Sequence, residues 1–210
     1  MNMVDYLEQA KKEIRDTWFK DHKIKSIEGE NGFQRIRWGE EGTRMYQVDY
    51  VLSGNMIFIS GDLGDAAYSL TCSATLDNIK KFDMSYFTGK LTAHQREKYD
   101  FDDKLARKQI KDYFLDWCNI EKTSDMEEES KDLFNQLISE TLQWNMCQHF
   151  SMGVYAIYQD TNIDWFDSES ASCIADCGSR LSYSIISYWV GLKMIIEQLE
   201  QLEKLDKESA

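Results

Sequence analysis

The spacing of apolar and polar residues changes period along the chain. Over residues 3–20, Val4, Leu7, Ala10, Ile14 and Trp18 recur at intervals of three and four with charges between them, which predicts an amphipathic helix. The period then drops to two. Residues 23–27 and 33–38 alternate around a turn containing Glu30-Asn31-Gly32, a hairpin signal. Residues 46–52 and 56–59 flank Ser53-Gly54-Asn55 as a second hairpin, and a fifth strand is expected between Ala66 and Cys72. After residue 74 the period is helical. Short and longer helices are predicted over 77–82 and 102–118, the latter with Leu105, Ile110, Tyr113, Phe114 and Trp117 as its apolar stripe. Residues 121–130 read as a linker-like break. From Asp132 to Tyr158 apolar residues fall on nearly every face, the mark of a buried helix, with Gly153 as its expected break. A last long helix is predicted over 180–204. The expected fold is α+β: an N-terminal helix and a 4–5-stranded antiparallel sheet in residues 1–74, then a helical part, 75–210, sharing one core with it.

Composition narrows the class. Hydrophobic residues are 42% of the chain and aromatics 13%, too many for a disordered acidic segment. Proline is absent, where average usage gives about ten, so proline-rich linkers and polyproline ligands are excluded. No basic region followed by an apolar run opens the sequence, and no run approaches the roughly 18 apolar residues of a membrane helix. Five cysteines, odd in number and unevenly spaced, make no disulfide framework. A cytoplasmic, membrane-free protein with reduced thiols is expected.

Charge is the strongest compositional signal. The net charge is −13, and it is uneven. Residues 123–210 hold sixteen acids against five bases, and no Lys or Arg stands in 132–179. Two readings are open. One is a solvated face that keeps the protein soluble. The other is a surface addressed to a basic partner, since a single-sign field speeds encounter with its opposite. Direct binding of duplex DNA is disfavoured for lack of a basic footprint. Lys104, Arg107, Lys108 and Lys111 do form a basic stripe, most simply the exposed side of the helix over 102–118.

Candidate chemistry is sparse. Asp62 and Asp65 lie in a glycine-flanked turn at a strand end, and Asp49 could add a third oxygen for a divalent cation, the constellation of a metal-dependent hydrolase or nuclease. The simpler reading is a tight turn with carboxylates bonded to local backbone. Cys147, His149, Cys173 and Cys177 offer zinc-ligand types at spacings that match no strong zinc pattern. His22 and His94 read as surface histidines without a nucleophile motif. No cofactor fingerprint is present. Leu181, Ile185, Tyr188, Leu192, Ile195, Leu199 and Leu202 follow a heptad pattern, either a core helix or a homodimer seam over 181–202.

Two stretches carry a resemblance. Arg37-Trp38-Gly39, Gly42-Thr43, Val48-Asp49-Tyr50 and Gly61-Asp62-Leu63-Gly64-Asp65-Ala66 resemble the N-terminal half of small accessory proteins of phages, plasmids and integrative elements of Gram-positive bacteria. Tyr188-Trp189-Val190-Gly191-Leu192-Lys193-Met194 with Glu197-Gln198-Leu199 resembles their C-terminal helix. Proteins of that kind include counter-defence factors such as anti-CRISPR inhibitors. The resemblance implies a non-enzymatic, nucleic-acid-mimicking inhibitor in the host cytoplasm, bound to a CRISPR nuclease or its guide-RNA complex. Asp160, Asp164, Asp167 and Glu169 would then stand in for phosphates. Trp165 and Phe166 inside that cluster would be the aromatic anchors.

Overall fold

The computed structural model describes residues 3–30 and 32–208, without the side chains of Met3 and Val4. The Val4 side chain of the expected stripe and Asn31 of the first turn lie outside the described part. The fold is α+β. The chain divides into two compact units, Met1–Lys98 with Ser182–Ala210, and Tyr99–Leu181. The boundary expected at residue 74 falls inside the first unit, because β6 pairs with β5 and the last helix packs back on that unit.

The first unit opens with α1 (Met3–Glu13), which continues into a π-helical turn, Ile14–Trp18. Tyr6, Ala10 and Ile14 are its buried face. The wide turn, closed by the Phe19 amide donating to the Ile14 carbonyl at 2.9 Å, adds a residue to the period. Phe19 therefore reaches the core and Trp18 is left half-buried, where a regular helical period pointed to Trp18.

Six strands follow as an antiparallel meander: β1 (Lys23–Glu28), β2 (Phe33–Gly39), β3 (Val48–Ser53), β4 (Met56–Gly61), β5 (Ala66–Ser69) and β6 (Leu91–His94). β6, a strand beyond the expected sheet, is four residues long and too short to show a period. Ile36, Trp38, Val48, Tyr50, Leu52, Ile57, Ile59 and Tyr68 form the inner face. Gly54, at φ +58°, takes the first position of the β3–β4 turn, as a type II′ hairpin requires. Between β5 and β6 stand two short helices, α2 (Leu76–Lys80) and α3 (Met84–Gly89), capped by Thr75 and Asp83.

The second unit is helical: α4 (Asp103–Trp117), α5 (Glu128–Gln143), α6 (Cys147–Asp160) and α7 (Ser168–Ala175). A short antiparallel pair, β7 (Tyr99–Phe101) with β8 (Ser179–Leu181), joins its two ends. Ala106, Ile110 and Phe114 of α4 pack with Leu133, Leu137, Phe150, Val154, Phe166 and Ile174. Tyr113, expected in the α4 stripe, is 36% exposed. Residues 121–130 are not a linker, since they contain a 3₁₀ turn and the buried Met126.

The helix expected over 132–158 is two helices. The break falls at Trp144, whose backbone is extended and whose indole N–H donates to Glu140 Oε2 at 2.7 Å. Gly153 is inside α6. A Cβ there would collide with the Glu140 carboxylate, so the glycine leaves room for the Trp144–Glu140 bond.

α8 (Tyr183–Glu208) belongs to the first unit. Ile185, Tyr188, Leu192 and Ile195 are buried within the chain, so this part of the heptad seam is used internally and is not open to a second copy. Only the end of the helix is exposed, with Leu202 at 55% and Leu205 at 58%.

Candidate partner-binding surface

The six residues expected to meet a partner separate into three kinds. Asp160, Asp164 and Glu169 are exposed carboxylates. Asp167 is exposed too, but it caps α7: one oxygen accepts the Glu169 amide at 3.1 Å and the Ser170 amide at 2.9 Å. Those bonds, the one from Ser170 foremost, hold its carboxyl below the usual range. Phe166 is 2% exposed and belongs to the core of the second unit, which corrects its place as an anchor. The turn closed by the Phe166 amide on the Ile163 carbonyl points it inward.

Trp165 is half-buried. Its ring meets Phe114 edge-on at 5.3 Å and Trp117 at 5.6 Å. Trp117 in turn stacks on Tyr113 at 5.1 Å. Tyr113 and Trp117 of α4 and Trp165, from the segment between α6 and α7, thus form a ladder. Asp112 and Asp116 are exposed on α4, and with Gln109 and Tyr113 they line a shallow cleft of about 310 Å³. Burial, ahead of the neighbouring Cys177, Cys173 and Asp176, raises the Tyr113 phenol. Tyr113, Trp117, Asp112 and Asp116 were not candidates by sequence, where period alone assigned both aromatics to the core. The spacing Asp112–Asp116 around them was the available signal.

The basic stripe reads as expected: Lys104, Lys108 and Lys111 are exposed, and Arg107 pairs with Asp103 at 2.7 Å. The second unit nevertheless holds seventeen acids against seven bases.

The alternative carboxylate constellation is not assembled. Asp49 lies on the outer sheet face, opposite Arg37 in register, and pairs with Arg35 at 2.6 Å and Arg37 at 3.2 Å. Although desolvation opposes it, these two guanidiniums hold the Asp49 carboxyl below its usual range. Asp62 accepts the Tyr46 amide at 2.9 Å, a bond across sixteen residues rather than a local one. It helps hold Tyr46 in a left-handed conformation, φ +55°. The exposed Asp65 receives a side chain at its backbone, its amide donating to Gln95. Among the described residues no three His, Cys, Asp or Glu side chains are grouped to hold a metal ion.

The zinc-type residues are engaged elsewhere. Cys147 Sγ lies 3.8 Å from the Tyr99 carbonyl and 3.5 Å from Ser179 Oγ. Cys177 turns back on the Cys173 carbonyl, and burial pushes its thiol up to about 12, so it is no nucleophile. His149 is an exposed neighbour of Trp144. His22 is not at the surface: it is 3% exposed, packed between Phe19 and Trp38, with Nε2 3.2 Å from the Tyr46 carbonyl. His94 is half-buried, with Nε2 3.5 Å from Ser184 Oγ. No helix among the described residues is long and apolar enough to cross a membrane. No family model, curated protein or solved structure matches this chain.

Proposed function

We propose that the protein is a non-enzymatic inhibitor whose acidic second unit occupies the basic groove of a nucleic-acid-handling protein. The supporting observation is the half-exposed ladder Tyr113–Trp117–Trp165 among exposed carboxylates. Aromatic anchors framed by rim charges are the usual composition of a binding hot spot. A net excess of ten acids on one unit supplies a field that draws it toward a positive groove and repels nucleic acid itself. Asp112, Asp116, Asp160 and Asp164 would take positions that phosphates occupy.

The sequence resemblance makes RNA-guided nucleases the first partners to test, in an anti-CRISPR role. Purified nucleases, free and loaded with guide RNA, are immobilised and their association with the protein measured across a salt series. Support is binding that weakens with salt and is competed by guide or target nucleic acid. Binding that ignores both, or absence of binding across a panel of basic nucleic-acid-binding proteins, would reject the reading.

A further inference from the structure

The first unit carries a groove of opposite sign to the chain as a whole. α1 and α8 pack together, and Glu8, Lys11 and Lys12 of α1 with Arg15 of the π-helical turn line a cleft of about 260 Å³ with Trp189, Val190 and Lys193 of α8. Residues 8, 11, 12 and 15 share a helical face, so α1 and the π-helical turn that continues it deliver three cations to one place. Two carboxylates answer them: Glu8 holds Lys11 at 2.7 Å, and Glu197 pairs with Arg15. Of the side chains that line the cleft four are cations and one, Glu8, is a carboxylate, so its wall is positive in a protein whose net charge is −13. Glu197, Asp16 and Asp83 act on Arg15 and Lys193 from outside the lining.

The cations differ in what they can offer. Lys193 donates to the carbonyls of Ile79, Lys80 and Phe82 at 3.0, 2.7 and 2.8 Å, which uses all its protons. It is a fixed charge that closes the end of α2. The ammonium groups of Lys193 and Lys11 both lie 5.2 Å from the centre of the Trp189 ring, within cation–π range. Lys12 and Arg15 are exposed. The Trp189 indole N–H is buried with no hydrogen-bond partner.

We infer that this cleft binds a small oxyanion of the phosphate or pyrophosphate class. Lys12 and the remaining N–H groups of Arg15 donate to its oxygens, Lys11 adds a further donor, and Lys193 contributes field without contact. Trp189 forms the apolar wall that keeps water from one side. The volume lies below that of most ligand pockets, which selects a small anion over a nucleotide. The overall negative charge works against a long polyanion such as nucleic acid. This site is in the first unit and is independent of the acidic surface.

The test uses the full chain, labelled with ¹⁵N and titrated with phosphate and pyrophosphate at constant ionic strength held by chloride. The indole cross-peak of Trp189, identified by its loss in Trp189→Phe, reports on the cleft. A saturable shift is expected with pyrophosphate at lower concentration than with phosphate. Lys12→Glu, on an exposed side chain, should weaken binding roughly tenfold, the equivalent of one charge-assisted hydrogen bond. Lys20→Gln, outside the cleft, should leave it unchanged. No saturable shift of the Trp189 signal, or equal affinity in Lys12→Glu and the parent, would overturn the assignment.

Discussion

The phenol of Tyr50 fills the space that a side chain at position 191 would need. Tyr50 rises from β3, and its hydroxyl donates to the Tyr188 carbonyl on α8 at 3.1 Å, beside the Cα of Gly191. A Cβ at 191 would lie closer to that hydroxyl than any real Cβ contact. Sheet and helix are therefore keyed together at one pair of residues. Gly191→Ala is expected to destabilise the first unit by about 1–3 kcal/mol, the range for overpacking. In a Tyr50→Phe background the same change should be much milder, since the nearest atom becomes a ring carbon at 3.3 Å. A double-mutant cycle from urea unfolding measures this. Strictly additive effects would show that the two residues do not compete for the space.

His22 predicts a pH dependence. Burial lowers its pKa from the usual 6.5, ahead of the opposing bond to the Tyr46 carbonyl. The unfolded chain thus takes a proton on His22 before the folded chain does. Stability is full above about pH 6.5, falls as pH drops through that value, and levels off below the folded pKa. The slope is at most about 1.4 kcal/mol per pH unit for one proton. His22→Gln should flatten this part of the profile, leaving only the losses at more acid pH that Asp49 and other carboxylates of lowered pKa cause. Urea midpoints at pH 7.5, 6.5 and 5.5 in both proteins decide it. A parent profile flat over that interval contradicts the burial argument.

What was legible in the sequence was period. β1 to β5 and α4 alternate or repeat long enough to be read, and they stand where expected. What was not legible depended on contacts between distant residues. The π-helical turn replaced Trp18 by Phe19 because one i+5 bond reset the phase. The α5–α6 break falls at Trp144, beside an indole–carboxylate bond, and not at the glycine. The residues that carried the resemblance prove to be the locks of the first unit. Gly61, at φ +145°, lets β4 approach the Gln47 carbonyl. Gln198 bridges the Ile24 amide and the His22 carbonyl. Lys193 closes α2. Such residues report on a fold more directly than on a function.

The order of the chain in the two units predicts that the second is an insert. The first unit leaves off at Lys98 and resumes at Ser182, whose amide donates to the Lys98 carbonyl at 3.0 Å. Its ends are already together, so closing them with a short Gly-Ser turn adds little loop entropy. Each unit has a core of its own. Replacing residues 99–181 by such a turn should leave a first unit with native-like circular dichroism and a single cooperative urea transition. A non-cooperative, dye-binding product would mean that the first unit needs the second to fold.

The acidic surface predicts a split between rates. Asp160→Asn, Asp164→Asn and Glu169→Gln remove exposed charges that cap nothing, so the thermal midpoint should stay within experimental scatter. Asp167 must be kept out of that set, because its carboxylate holds the first turn of α7. Asp167→Ala should lower the midpoint, while Asp167→Asn, still an acceptor, should largely preserve it. Clustered charges act through their summed field over a Debye length of about 8 Å at physiological salt. If that field steers docking, the triple variant should associate with a basic partner roughly tenfold more slowly at low salt and show a shallower salt slope. Tyr113→Ala should act differently. Its ring is exposed at the end of the ladder, so its loss removes contact made after docking and should raise the dissociation rate with little change in association. Trp165 is a poorer probe, since its ring also packs on Phe114 and its removal would disturb the core. Surface plasmon resonance on the three proteins at two salt concentrations separates the effects. Equal association rates and salt slopes for the triple variant and the parent would reduce the acidic face to a solubility surface, and an unchanged dissociation rate for Tyr113→Ala would remove the ladder from the interface.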